Sequence, residues 1–334
     1  MIVVTGGTGF LGAHLICKLM QSGVDVKALK RESSSTDRFE QIFRYYFPGM
    51  ALNNASLQWV DCDVTDIIGL HDNIGEDDCV YHCAAEVHFR PGNEKQQFQV
   101  NVLGTANMVD VCLEKKVRKL VHVSSIGSLG DSVGGYPVDE DTVRKKSVKQ
   151  SSYSKSKYLG ELEVFRGIAE GLNAVIVNPS VIIGPGEAGN GFSTLIGMVQ
   201  KGLRYYPQGA NAWVDVRDVA EAMILLMQAE IEGERFIVSA ENRSYQYILE
   251  QIAEILGVKP PVKKASYNLL KLAGLAGKIK ETFTRKPNPL TPDLIRISSS
   301  VTAYNPSKLI GATGFRYIPV IQSLKETCSF NATR

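Results

Sequence analysis

Short apolar runs alternate with stretches of helical period through the first half of the chain. The runs Ile2–Thr5, Asp25–Leu29, Leu57–Val60, Cys79–His82, Lys119–Ser124 and Ala174–Asn178 read as strands. Phe10–Gln21, Gln97–Glu114 and Tyr153–Glu170 carry helical spacing between them, and Thr36–Tyr46 reads as a short helix after the loop Ser33–Ser35. Strands that are nearly continuous in apolar residues are buried on both faces. The alternation therefore predicts an α/β fold, a doubly wound parallel sheet with helices on both sides.

After Asn178 the rhythm changes. Pro179–Gly191 is rich in proline and glycine and reads as loop, Ser193–Lys201 as helix, and Ala212–Val216 as a short strand leading into a helix through Met227. Phe236–Ser239 reads as a strand returning to the sheet, and from Tyr245 onward the pattern suggests two or three helices with loops. Residues 1–178 with 211–239 are expected to form the sheet domain. Residues 179–210 with 240–334 form a smaller, discontinuous region against the carboxyl ends of the strands. Ala265–Phe283 is amphipathic and basic, with Leu269, Leu270, Leu272, Leu275 and Ile279 among lysines. A surface helix packed on the smaller region is the favoured reading, ahead of a lid over substrate and a membrane-surface helix. Gly311–Gly314 reads as a turn.

The chain has 334 residues, 44% hydrophobic and 22% charged, with a formal net charge of +2. That balance suits a water-soluble globular protein and gives no reason to expect nucleic acid as partner. Uninterrupted apolar stretches fall short of the ~18 residues that a membrane span needs. The six cysteines form no CxxC pair, and Cys79 and Cys83 have only His82 beside them, so no metal site is expected. A chain this long folds without disulfide staples, which points to a reducing compartment. A glycine loop starting at Thr5 leaves no room ahead of it for a secretory leader, so a cytoplasmic location is expected.

That loop, TGGTGFLG at 5–12, spaces glycines at Gly6, Gly9 and Gly12, follows a strand and opens a helix. In this context the spacing indicates dinucleotide binding: one glycine for the turn, one for close approach of the diphosphate, one for helix–strand packing. Thr8, Phe10 and Leu11 complete the phosphate-facing turn. NAD-preferring sites usually place an acidic residue at the end of the second strand, for the ribose hydroxyls. Here the chain reads Ala28-Leu29-Lys30-Arg31. Arg31, with Lys30 or Ser33 to Ser35 assisting, suits a 2′-phosphate, so NADP(H) is expected in preference to NAD. Asp63 and Val64 follow the third strand and suit the adenine, with a helix cap over Thr65-Asp66 the less favoured alternative for Asp63. Ala84 and Ala85 follow the fourth strand and leave space for the cofactor. Asn101 sits within a helix, placed either to bridge the strand ends or to satisfy local backbone.

Tyr153 and Lys157 stand four apart at the start of a helix, one turn from each other. A free phenol titrates near ~10, and a neighbouring ammonium is expected to lower that value. Ser124 and Ser125 end the fifth strand, where a hydroxyl could donate to a carbonyl oxygen. Aromatic and polar residues in nearby loops, His88, Phe89, Phe192, Tyr205, Tyr206 and Trp213, are candidates for the substrate wall, with plain packing an equal alternative for each.

Together these motifs resemble the extended short-chain dehydrogenase/reductase (NAD-dependent epimerase/dehydratase) superfamily. The resemblance rests on the glycine loop, Asp63-Val64, His82-Cys83-Ala84-Ala85, Asn101 with Gly104-Thr105, Val123-Ser124-Ser125 and YSKSK at 153–157. Pro179 with Gly184-Pro185-Gly186, Val216-Arg217-Asp218-Val219-Ala220, and Asn305-Pro306-Ser307-Lys308 with Gly314-Phe315 extend it over nearly the whole chain. HVSSIGSLG at 122–130, VNPSVIIGPG at 177–186 and the placement of Arg31 make it most similar to the dihydroflavonol 4-reductase group, which borders the 3β-hydroxysteroid dehydrogenases. The resemblance implies an NADPH-dependent reduction of a ketone or aldehyde, or the reverse oxidation of an alcohol. Ser125, Tyr153 and Lys157 would be the catalytic trio, and Asn101 would hold a proton relay to Lys157. Ser124, Pro179 and Val181 would border the cofactor. It also implies a homodimer through helices 97–114 and 153–170. Ser125 is followed by Ile126-Gly127, without the acid pair of sugar-nucleotide dehydratases, so dehydration is not expected. A nucleotide-sugar epimerase or dehydrogenase, or a 3β-hydroxysteroid dehydrogenase/isomerase, remains the alternative.

Overall fold

Within each central strand, neighbouring residues point to opposite faces of the sheet, and both faces are buried. A computed structural model describes residues 1–51, 56–87, 92–132, 135–144, 150–186, 191–284, 288 and 290–332. The first part of the chain runs β1 (Ile2–Thr5), α1 (Phe10–Gln21), β2 (Val26–Lys30), α2 (Asp37–Tyr46), β3 (Leu57–Asp61), α3 (Ile67–Asn73) and β4 (Cys79–His82). It continues through α4 (Glu94–Phe98), a π-helical turn (Gln99–Leu103), α5 (Gly104–Glu114), β5 (Lys119–Val123), a 3-10 turn (Ile126–Ser128), α6 (Ser152–Ala169) and β6 (Ala174–Pro179). The second part runs β7 (Val181–Ile183), α7 (Phe192–Gln200), β8 (Tyr205–Pro207), β9 (Ala210–Asp215), α8 (Val216–Gln228), β10 (Arg235–Val238), β11 (Glu241–Ser244) and α9 (Tyr245–Ile255). It ends with β12 (Lys263–Ala265), α10 (Tyr267–Thr284), α11 (Pro292–Ser299), α12 (Ser307–Thr313) and α13 (Val320–Ala332).

Seven strands form one parallel sheet in the order β10-β6-β5-β4-β1-β2-β3. Val4, Tyr81, Val121 and Val177 pack on one face with α1 and α8, while Val3, Val80, Leu120 and Ile176 pack on the other with α3, α5 and α6. The strand order reverses between β1 and β4, which opens a crevice at their carboxyl ends, where this kind of sheet binds ligands. Thr5 is in register with both Leu29 and His82, and His82 with His122, so the strand ends lie level.

A smaller lobe stands on that edge. Its three-stranded sheet has the order β11-β9-β7, and β8 pairs with β12. Phe192, Ile196, Tyr206, Trp213, Ile248, Ile252 and Leu324 form its core.

The structure departs from the sequence pattern in several places. Residues 181–183 form β7, inside the stretch read as loop; three residues show no period, and the surrounding proline and glycine mask them. The strand at 210–215 pairs with β7 and β11 and stays out of the central sheet. Among the described residues, five helices lie from Tyr245 onward where two or three were expected, because α11 and α12 are too short for periodicity to register. The helix expected at 97–114 is interrupted by the π turn at Gln99–Leu103.

Candidate active site

The glycine loop joins β1 to α1 at the crevice. Gly6 has φ +70°, and a Cβ there would lie 2.6 Å from the Ala84 backbone nitrogen. Only glycine fits both that conformation and that approach. A Cβ at Gly12 would collide with the Gly6 carbonyl, which explains the tight seat of α1. The first bond of α1 runs from the Ala13 N–H to the Gly9 carbonyl at 3.0 Å. The N–H groups of Phe10, Leu11 and Gly12 therefore precede the helical ladder and end the helix as donors. Thr8 is half-buried beside them. This donor set, at the positive end of a helix, fits a diphosphate. Ala84 completes the floor: its N–H donates to Thr5 Oγ1 at 3.2 Å, and the same oxygen lies 2.8 Å from His82 Nδ1. Ala85 is exposed at the crevice edge.

At the end of β2, Lys30 Nζ forms an ion pair with Asp61 on β3 at 2.5 Å. That pairing takes Lys30 out of the phosphate-binding role expected of it. Arg31 is exposed at the start of the next turn, whose Ser34 N–H donates to the Arg31 carbonyl at 2.9 Å. Asp63 Oδ1 accepts from the Thr65 N–H at 2.9 Å and the Thr65 hydroxyl at 2.8 Å, the turn-capping alternative. Val64 is buried against Gly104, whose close approach to it leaves no room for a Cβ.

Ser125 and Tyr153 meet at the carboxyl end of β5, where their hydroxyls share a hydrogen bond. The Ser125 oxygen also accepts from the Gly127 N–H at 3.1 Å. Ser151 caps α6 by accepting from the Ser154 N–H at 3.0 Å, which fixes the turn that carries Tyr153. Burial pushes the Tyr153 phenol above its ordinary value, and the Ser125 bond pulls it back down. The lowering by Lys157 expected from the sequence is not among the influences on this phenol. Lys157 is turned to the sheet, where its ammonium donates to the Val123 carbonyl at 2.7 Å. Burial brings Lys157 down to about 8, opposed by the charge of Glu161.

Asn101 is fully buried in the π turn. Its side chain accepts from the Glu86 N–H at 2.7 Å and donates to the Glu86 carbonyl at 3.0 Å and to Ser156 Oγ at 2.9 Å. These bonds brace the segment after β4 against α6.

Beneath the trio lies a polar cluster that the sequence reading did not single out. Glu161 is 1% exposed, and its Oε2 accepts from Ser124 and Ser128 at 2.6 Å each and from Asn178 at 2.8 Å. Its other oxygen pairs with Arg235 at 2.8 Å. Arg235 Nε donates to the Glu140 carbonyl at 2.8 Å. The Ser124 hydroxyl is therefore drawn under the site to Glu161, away from the cofactor position expected for it. The signal was present: Glu161 follows Lys157 by four residues, on the face of α6 that turns inward.

Of the residues expected to wall the substrate, Phe192, Tyr206 and Trp213 are core positions of the smaller lobe. Trp213 is 1% exposed and its indole donates to the Arg243 carbonyl at 3.1 Å. Alternation along β8 turns Tyr206 inward and Tyr205 outward, where Lys263 sits 5.8 Å from the Tyr205 ring centre. His88 and Phe89 lie outside the described residues. Pro179 ends β6 in a buried position, and Val181 opens β7 half-buried. A separate cavity of about 480 Å³ lies between α6 and β10, lined by residues including Ser128, Arg144, Tyr158 and Arg235 but by none of Ser125, Tyr153 and Lys157. All six cysteines are free thiols. Among the described residues, no group of three or more His, Cys, Asp or Glu converges as a metal site, and no helix is long and apolar enough to cross a membrane.

Comparison with known proteins agrees with this geometry. The profile of the NAD dependent epimerase/dehydratase family matches residues 2–239. A protein of Synechocystis sp. named "Putative dihydroflavonol 4-reductase" is 30% identical over 97% of this chain and 92% of its own length. The "Sterol demethylase protein B" of Methylococcus capsulatus is 30% identical over 78% of this chain and 75% of its own. Among solved structures, gox2253 superimposes with a TM-score of 0.82 at 25% identity, covering 100% of this chain and 98% of that one.

Proposed function

Because the chain belongs to the NAD dependent epimerase/dehydratase family, the extended short-chain dehydrogenases/reductases, we propose that it is an NADP(H)-dependent reductase of a ketone or aldehyde. The observation that carries this reading is the hydrogen bond between the Ser125 and Tyr153 hydroxyls, with a phenol that burial keeps protonated at neutral pH. A reduced nicotinamide cofactor, held by the glycine loop at Gly6–Gly12, would supply the hydride for the carbonyl carbon. Ser125 steadies the carbonyl oxygen, and Tyr153 delivers the proton that converts it to a hydroxyl. Lys157, anchored at the Val123 carbonyl, would hold the ribose of a bound cofactor and keeps a positive charge beside the site. In the reverse direction Tyr153 accepts the proton from an alcohol. Near pH 7 the phenol is in its protonated form, the form that the reductive direction uses.

The preference for NADP(H) rests on the end of β2. No carboxylate stands there for the ribose hydroxyls, and Asp61 takes up Lys30. Arg31, exposed beside Ser33 to Ser35, is left to grip a 2′-phosphate. Self-association through residues 97–114 and 153–170 belongs to the same reading, supported by exposed apolar side chains at Phe98, Leu103 and Leu162.

The test measures NADPH and NADH affinities for the protein and for Arg31→Ala, together with turnover on a panel of ketones and aldehydes. NADPH is expected to bind at least about tenfold tighter, with that margin lost in Arg31→Ala. An NADH preference of similar size would remove the assignment of Arg31. Turnover of alcohols alone would reverse the direction, toward the sterol-type reactions for which the Methylococcus relative is named.

A further inference from the structure

Helix α10 faces the body of the protein with very little of itself. Among its described side chains, Leu270, Gly274, Gly277 and Glu281, spaced by four, three and four, are the covered positions, Gly274 buried and the others half-buried. A Cβ at Gly274 would lie 2.9 Å from Ile295 of α11, and a Cβ at Gly277 would press on Asn288. Asn288 Nδ2 donates to the Gly274 carbonyl at 2.8 Å, which pins this narrow seam. The apolar side chains lie elsewhere. Leu269, Leu272, Leu275 and Ile279 recur at intervals of three, three and four, so they share an arc of the helix away from the seam. They are 40%, 66%, 59% and 56% exposed. Val262, just before β12, is 75% exposed. A water-soluble surface rarely lines up so many large apolar side chains in one row.

The charges around this row have one sign. Between Glu254 and Glu281 the chain contains no acidic residue, but carries Lys259, Lys263, Lys264, Lys271, Lys278 and Lys280. The whole chain is only +2, so the positive charge is concentrated here. Lys271 and Lys278 are seven residues apart and flank the apolar arc on one side. Both are exposed, as are Lys259, Lys263 and Lys264. Lys271 lies over the Tyr267 ring at 4.8 Å, so its stem follows the helix while its ammonium stays at the rim.

We propose that α10 docks the protein on an anionic lipid bilayer, lying in the plane of the interface. Leu269, Leu272, Leu275 and Ile279 enter the acyl boundary, and the lysines meet the headgroup phosphates. The predominance of lysines beside the row favours this occupant over a second copy of the chain, whose own α10 would bring the same lysines face to face. Each lysine brought to an anionic surface contributes roughly fivefold in partitioning.

The test is flotation of the full-length protein with vesicles of phosphatidylcholine alone and of phosphatidylcholine with phosphatidylglycerol. The protein is expected to partition at least about tenfold more strongly onto the anionic vesicles, and to be released by salt. Leu272→Glu with Leu275→Glu is expected to abolish binding to both kinds of vesicle. Lys271→Glu with Lys278→Glu is expected to remove only the preference for anionic lipid. The substituted side chains are all exposed, and melting temperature and circular dichroism report the fold alongside. The proposal is overturned by absence of binding to anionic vesicles, or by equal binding of the double leucine variant. It is also overturned if that variant, with no lipid present, converts an oligomer to monomer, which would show that a second copy covers the face.

Discussion

Two helices of eighteen residues each, α6 and α10, dispose their side chains in opposite ways. Helix α6 buries Ser156, Lys157 and Glu161 along with Gly160 and Val164. Helix α10 exposes Leu269, Leu272, Leu275 and Ile279 and covers glycines. Both break the rule that apolar side chains go in and charges go out, and each departure has its own physical meaning. A buried charge survives only when neighbours satisfy it, as Val123, Asn178, Arg235 and two serines do in α6. Such an arrangement fixes side chains in place, as a chemical site requires. An exposed apolar row has no such support inside the molecule. It costs stability to keep unless something outside covers it.

The strongest way to break the comparison is at Tyr153. If the polar cluster on α6 serves chemistry, Tyr153→Phe should lower kcat/KM on a carbonyl substrate by about 10²- to 10⁴-fold. Cofactor affinity should stay near the parent value, since the phenol oxygen is all that is removed. Unchanged turnover across the panel would leave α6 with a structural role only.

Glu161 tests the support rather than the chemistry. Glu161→Gln strips the partner charge from Arg235, and a broken buried pair costs about 3 kcal/mol, near the low end of the range because Arg235 stays partly in water. Chemical denaturation reads that loss. Burial already brings Lys157 down to about 8, and Glu161 is the charge that opposes this. Without it, the Lys157 ammonium should deprotonate at lower pH. The alkaline limb of the activity profile should then move from near 8 toward neutrality. A loss of stability with an unmoved limb would make Glu161 a packing element and no more.

Asp218 on α8 sharpens the contrast, because it is a buried carboxyl with little to satisfy it. Its Oδ2 accepts from the Ile318 N–H at 2.8 Å, and burial raises it to about 7 from 3.8. The folded state therefore binds this proton more tightly than the unfolded chain does. The associated stability is complete below about pH 4 and is lost as pH rises through about 7. Between about pH 6 and about pH 8 the parent protein should lose on the order of 1 kcal/mol from this group. Asp218→Asn keeps an acceptor for Ile318 and should flatten that decline, as thermal melts at the two pH values would show. A decline of equal size in the variant would place the titration elsewhere.

These three residues also mark how far the sequence could be read. The central strands were legible because burial on both faces makes them continuous apolar runs, and the glycine loop because its spacing is imposed by backbone contact. Tyr153, Lys157 and Ser125 were legible as a pattern. Their energetics were not, since burial of the phenol depends on packing that no local spacing encodes. Glu161 stood one turn beyond Lys157 in plain view, yet nothing in the sequence joined it to Asn178 or to Arg235, which lie on distant strands. Phe192, Tyr206 and Trp213 were ambiguous for the same reason: an aromatic side chain looks alike in a cleft wall and in a core. For α10 the amphipathic period was clear, but a period cannot say which face meets the protein. The glycine seam, not the leucine row, turned out to be that face.

The smallest expected effect is the one that decides how α10 is understood. Leu272 is 66% exposed, so Leu272→Ala should change stability by no more than about 0.5 kcal/mol. Alanine even has the higher helix propensity, which would offset any lost contact. Leu270, half-buried where Leu272 is exposed, supplies the reference: Leu270→Ala should cost more, because more of its side chain is out of water. Equal and small losses at both positions would mean that α10 is barely attached and that the seam carries little. A loss of about 2 kcal/mol or more at Leu272 would mean that the row is packed in solution, and the contrast with α6 would collapse into ordinary burial. The expected asymmetry, with Leu270 costly and Leu272 nearly neutral, leaves the leucine row stabilising nothing within the chain, which is the condition for it to act on a surface outside.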